Sequence, residues 1–249
     1  MVVKKAAASK GRTQYAPAKN SGGGIELYLK RIFALMFGAL AVTGVTSWLT
    51  MNYGLSLVFQ FSNGAWSLSP LFYIAMFGGL GFIIWAQMRV FSFRPAIGAL
   101  MLAIYSVTIG FVLTPLIFTA LTVNPASIWQ AFFIASAMFA CMALFGYRTA
   151  KDLSFLRIFL FMGMIGLILV GVASFIWPLG STFATIVCAI GVLVFALFTA
   201  YDMQFLKRAY ASDMDDTQRN QLAILGALHL YIAFIAMFQY ILALLNMRR

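Results

Sequence analysis

The sequence predicts an all-α polytopic membrane protein built as a bundle of seven transmembrane helices, and three properties carry that prediction. Of 249 residues, 63% are hydrophobic and only 9% charged, with a mean hydropathy of +0.95; soluble domains carry about a quarter of their residues as charges. The apolar residues are grouped into seven windows separated by short polar breaks, each near the roughly 20 residues that cross a bilayer core as a helix. The windows are apolar on every side, whereas transmembrane strands would alternate apolar with polar residues over segments of about ten.

The first window, Leu29 to Leu49, follows a basic segment, residues 1–24, that contains no acid and lacks the apolar core of a secretory signal. It reads as a disordered cytoplasmic tail ending in a flexible Gly22-Gly23-Gly24, with a transit peptide as the other reading. The second and third windows, Leu71 to Met88 and Ala96 to Leu121, are joined by a break holding Arg89 and Arg94. Small residues four apart, Ala34 with Gly38 and Ala75 with Gly79, predict close helix approach. Pro115 predicts a kink in the third span. The fourth window is Ile128 to Phe145, and the fifth, Leu153 to Trp177, opens behind Asp152, which is placed to cap free amide groups and favour the helix dipole. The sixth and seventh run from Phe183 to Leu206 and from Leu222 to Leu245, so residues 25–249 form one transmembrane domain. Cys141 and Cys188 fall inside spans and imply no disulfide framework. Asp213, Asp215 and Asp216 form an acidic run in the last inner loop, read as solvated charge rather than a metal site.

A net charge of +11 raises the question of nucleic acid. The distribution of the cations answers it in favour of the lipid bilayer. Lys30 and Arg31 at the start of the first window, then Arg89 and Arg94, then Arg148, Lys151 and Arg157 in and flanking the next inner loop, then Lys207, Arg208 and Arg219 lie at or beside alternate breaks, and the other breaks, around 52–69, 122–125 and 178–181, contain no Lys or Arg. The positive-inside rule therefore puts the N-terminus in the cytoplasm. The lean loops suit a bacterial inner membrane. Arg248 and Arg249 sit on the far side if the last segment spans fully, or on the near side if it is re-entrant.

Enzyme chemistry is not expected. The single histidine, His229, leaves no His-Glu-x-x-His metal site and no histidine pair for haem, and no glycine-rich phosphate loop precedes a lysine. Ser181 and His229 fall near opposite faces of the membrane, which excludes an intramembrane serine protease. No cofactor or metal is implied.

Of six acidic residues, only Asp202 lies inside a span. An acid at the bilayer centre costs roughly 2.5 to 3.5 kcal/mol on insertion scales, so it marks a function or finds a partner. Its five-residue distance from Lys207 places it about 7 Å from the interface, which leaves open a role as an interfacial anchor. Three stretches, "FTAYDMQFLKR" at 198–208, "AKDLS" at 150–154 and "GALHLYIAFIAMF" at 226–238, resemble the Bax inhibitor-1 family, also called the transmembrane Bax inhibitor motif or YccA-like family, and the resemblance runs from about Glu26 to the end.

The resemblance implies a seven-helix bundle with the last helix central and, in bacterial members, a pH-sensitive calcium leak. There, two aspartates on the sixth and seventh helices share a proton and close the pore. Adjacent carboxylates cannot easily both ionise, so such a pair is a pH switch. Asp202 matches the first aspartate. The second is missing: the family's Leu-Tyr-Leu-Asp-Phe-Ile-Asn is here Leu230 to Ala236, with Ala233 at the aspartate position. Two residues are candidates to face Asp202 instead. Arg89 resembles in placement an arginine of family members, and an arginine would hold the carboxylate ionised. His229 lies four residues before Ala233 on the same helical face, at a depth close to that of Asp202; its other reading is a histidine satisfied by a backbone carbonyl. Two functions remain: a cation leak using Asp202, or, resembling members that restrain a membrane AAA protease, a non-transporting interaction protein whose basic tail and acidic loop contact its partner.

Overall fold

The structure, a computed structural model, describes residues 22–62, 65–89, 94–174, 177, 180–210 and 214–247. The elements in order are α1 (Gly22–Tyr53), a one-turn α2 (Leu55–Val58), β1 (Phe59–Ser62), β2 (Ala65–Leu68), α3 (Pro70–Arg89), α4 (Pro95–Val123), α5 (Ala126–Arg148), α6 (Leu156–Ala173), α7 (Ser181–Ala209) and α8 (Asp216–Met247). Among the described residues, seven helices are long and apolar enough to cross a membrane, and each contains one of the seven windows in whole or in large part. The protein is an all-α integral membrane protein. Gly22 to Gly24, assigned to the tail from sequence, already belong to the first turn of α1.

The break around 52–69 carries structure of its own. β1 and β2 pair antiparallel, Phe59 opposite Leu68 and Phe61 opposite Trp66. The sequence signal is present: apolar and polar residues alternate on both sides of Asn63-Gly64, the strongest short hairpin dipeptide. The Ser69 hydroxyl anchors the base of the hairpin, donating to the Leu57 carbonyl and accepting from the Phe72 amide at 3.2 Å.

The last helix is the axis. α8 packs against α7, α5, α1 and α4, and 61% of its spanning window is buried, against 11% for α6, which packs chiefly on α7. A helix apolar on every side belongs inside a bundle, and Leu230, Tyr231, Met237 and Leu242 on α8 are fully buried. The far end of α8 is fixed: Ser127 at the start of α5 donates to Asn246 Oδ1 at 3.0 Å, and Thr185 of α7 approaches Met247 Sδ at 3.8 Å. Its near end bonds through Asn220 to Arg31 of α1. With 32 residues, about 48 Å at 1.5 Å per residue, α8 runs the length of the bundle and is not re-entrant.

Close packing differs in detail from the small-residue pattern. Gly79 faces Thr108 of α4, 3.0 Å from where a Cβ would stand, as expected. Ala34 and Gly38 point outward, and nothing lies within 4 Å of a Cβ at Gly38. Spacing alone does not say which face turns inward. Among the glycines of the described residues, the tightest approach is at Gly146 of α5, where a Cβ would fall 2.1 Å from the carbonyl oxygen of Ala200 in α7. α4 continues through Pro115 as one helix. Between α1, α4 and α8 a buried polar cluster is satisfied internally: the Thr43 hydroxyl lies 2.6 Å from the Tyr231 hydroxyl and 3.1 Å from the Ser106 carbonyl, as buried polar groups require.

Candidate functional site

Asp202 lies seven residues before the end of α7 and turns inward onto α8, leaving 8% of its side chain exposed. His229, on the face of α8 that meets it, brings Nδ1 to 3.4 Å from Asp202 Oδ1 and keeps 26% of its own side chain exposed. An imidazole that carries its proton on Nδ1 donates to the carboxylate there. Ala233, one turn further along α8, is buried beside them. The structure therefore joins three of the four sequence candidates at one place. The fourth, Arg89, ends α3, and its side chain lies outside the described residues.

The pair opens into a cavity of about 330 Å³ between α3, α6, α7 and α8, whose polar lining is Arg157, Gln87, Tyr201, Asp202 and His229. Arg157 is the residue sequence reasoning missed. At the second position of α6 it reads as one more interfacial cation, and nothing in its local sequence shows that α6 lays it against the pocket of a carboxylate 45 positions away. The remaining lining is mainly aromatic and aliphatic, including Phe161, Phe195, Phe198 and Phe205.

The rest of the "FTAYDMQFLKR" motif holds the end of the site in place. The Gln204 side chain donates to the Lys151 carbonyl at 2.8 Å and accepts from the Leu153 amide at 2.9 Å. Lys207 donates to the Tyr147 carbonyl at 2.8 Å and lies 4.7 Å above the Tyr147 ring, and Arg208 pairs with Asp152 at 2.6 Å. The "AKDLS" stretch is thus the partner of the α7 motif. Asp152 does not cap α6, which begins at Leu156; it accepts from the Ser154 amide and hydroxyl in the preceding turn. Those two bonds and the Arg208 guanidinium hold its carboxyl down at about 2. A depressed carboxyl contributes its stability above its ordinary value near 4 and loses it as pH falls through the folded value, so this clasp is unchanged between pH 5 and 8 and is no sensor there.

Gln204→Leu leaves the Leu153 amide and Lys151 carbonyl without their partner. A loss of about 1–3 kcal/mol is expected, read as a lower unfolding temperature in detergent, with faster proteolysis between Tyr147 and Phe155. An unchanged unfolding temperature would show that the clasp is ornamental.

In the acidic run, Asp216 pairs with Arg219 at 3.1 Å, Asp213 lies outside the described residues, and no group of three metal-ligating side chains occurs among the described residues. Cys188 is buried and Cys141 exposed on its helix, both free.

Residues 25–249 match the family described as "Inhibitor of apoptosis-promoting Bax1". The chain is similar to the inner membrane protein YbhL of Escherichia coli strain K12, 30% identical over 230 residues that cover 91% of this chain and 94% of YbhL. An uncharacterized protein of Rickettsia prowazekii is 31% identical over 229 residues, covering 91% and 92% of the two chains. One of Borreliella burgdorferi is 30% identical over 223 residues, covering 89% and 92%.

Proposed function

The chain belongs to the Bax inhibitor-1 family, and from that premise we propose that it is a cation leak pathway of a bacterial inner membrane, N-terminus in the cytoplasm, that passes calcium and is gated by Asp202 with His229. The observation that carries this reading is the His229–Asp202 contact at 3.4 Å, one turn from Ala233. His229 stands in for the carboxylate that Ala233 lacks, turning a diacid into an acid–base pair.

The sign of the pH response follows from charge. A neutral imidazole makes only a polar contact with Asp202; a protonated one turns the 3.4 Å contact into an ion pair between α7 and α8. Acid therefore tightens the α7–α8 interface and closes the path. Among the described residues, the other charged or titratable groups lining the cavity beside the pair are Arg157 on α6 and Tyr201 on α7. In calcium-dye-loaded liposomes, flux is expected to fall as pH drops from 8 to 5.5, and His229→Gln to flatten that fall while leaving flux at pH 8 within about twofold. A His229→Gln profile superimposable on wild type would remove His229 from the gate.

The presence of Arg157 in the same cavity as Asp202 favours a second reading. A fixed cation repels calcium, and with no second carboxylate at 233 the chain would serve instead as a non-transporting partner of a membrane AAA protease. Absence of flux together with co-purification of such a protease would select it.

A further inference from the structure

The exposed polar groups of the otherwise largely apolar Asp202 cavity are Arg157, a donor only, and Gln87. The Asp202 carboxylate is 8% exposed and turned toward His229. Arg157 and Gln87 are exposed, and the Arg157 guanidinium makes no ion pair or side-chain hydrogen bond among the described residues. An unpaired guanidinium at the rim of a membrane span is suited to a phosphate, which it can meet with two parallel N–H bonds. The wall leading inward from it is apolar: Phe161 and Met164 lie one and two turns deeper on the face of α6 that carries Arg157, opposite Phe195 and Phe198 of α7. Phe161 is 44% exposed and Phe205 39% exposed. With α6 packed chiefly on α7 and α3 chiefly on α4, the side between α3 and α6 opens toward the acyl region of a bilayer.

We propose that this cavity is a binding site for one anionic phospholipid of the leaflet at the basic end of the bundle, its phosphate held by Arg157 and an acyl chain laid along Phe161 and Met164. A donor at the interface continuous with an apolar slot matches an amphiphile and not a free ion, which would leave the aromatic wall uncovered. The lipid enters sideways, so no aqueous route to the cavity is needed. The site goes beyond the leak reading and does not depend on it.

The test is native mass spectrometry of the full chain extracted from nanodiscs of phosphatidylglycerol and phosphatidylcholine. Wild type is expected to retain one phosphatidylglycerol, and Arg157→Gln to retain it about tenfold more weakly. Met164→Trp, which fills the slot and spares the guanidinium, is expected to lose it as well. Arg148→Gln, an exposed cation at the same end, controls for general charge. Equal retention by wild type and Arg157→Gln, or equal retention of phosphatidylcholine, overturns the proposal. So does saturable binding of inorganic phosphate in phosphatidylcholine nanodiscs without preference for phosphatidylglycerol. Retention is read without flux: a chain that keeps its lipid but passes no calcium sinks the leak and leaves this site standing.

Discussion

Replacing Asp202 with asparagine is expected to lower calcium flux into dye-loaded liposomes at least about tenfold at pH 8. Among the described residues, Asp202 is the one acidic side chain buried at the contact of α7 and α8, so the substitution removes the negative charge that the proposed leak would offer a cation there. Asparagine keeps the size and the hydrogen-bonding oxygen, so His229 retains a neutral partner at the 3.4 Å contact and the helix interface survives. The change is therefore one of charge, and the unfolding temperature should move little while flux collapses. The pH response should disappear with it, because an imidazolium facing an amide gains no ion pair. Asp202→Asn with wild-type flux would show that the carboxylate anchors the helix and nothing more.

The second large effect concerns stability. A Cβ at Gly146 would fall on the Ala200 carbonyl oxygen and 2.8 Å from its carbon and Cα. These are backbone atoms of α7, which cannot rotate aside as a side chain does, so α5 and α7 must separate. Overpacking costs about 1–3 kcal/mol and occasionally more; Gly146→Ala is expected at the top of that range, with a clear drop in unfolding temperature. Ala200 is two residues from Asp202, so displacement there also disturbs the site. Gly38→Ala provides the contrast. With nothing within 4 Å of the new methyl, it should be neutral or gain up to about 1 kcal/mol from helix propensity. Equal stability of the two variants would mean that α5 and α7 do not approach as closely as described.

What could be read from the sequence follows from the physics of each feature. The seven spans were legible because a bilayer demands long apolar helices and the chain supplies them almost without interruption. Asp202 was legible because an acid in a span is rare, and His229 because it is the only histidine and lies at a similar depth. That His229 meets Asp202 could be framed only as one of two readings, since helix rotation is set by packing among α5, α7 and α8. Arg157 and Gln204 were illegible as site residues. Arg157 shares its cavity with a residue 45 positions away and Gln204 bonds residues 51 and 53 positions away, and a cation or amide at a span end has no local mark of a long-range role. The β1–β2 hairpin is legible in Asn63-Gly64, inside the cation-free break around 52–69, and the outward-facing Ala34 and Gly38 show that a four-residue spacing names a stripe without naming its direction.

The central claim is that the lone imidazole of the chain and the buried carboxylate of α7 form one titrating unit. Because His229 is the only histidine, protein labelled with ¹⁵N-histidine gives one pair of ring-nitrogen signals, which can be followed from pH 5 to 8 in nanodiscs for wild type and Asp202→Asn. The expected result is that the two titration curves differ, since the imidazolium loses its counter-charge in the variant. Superimposable curves would contradict the pairing and, with it, the gate.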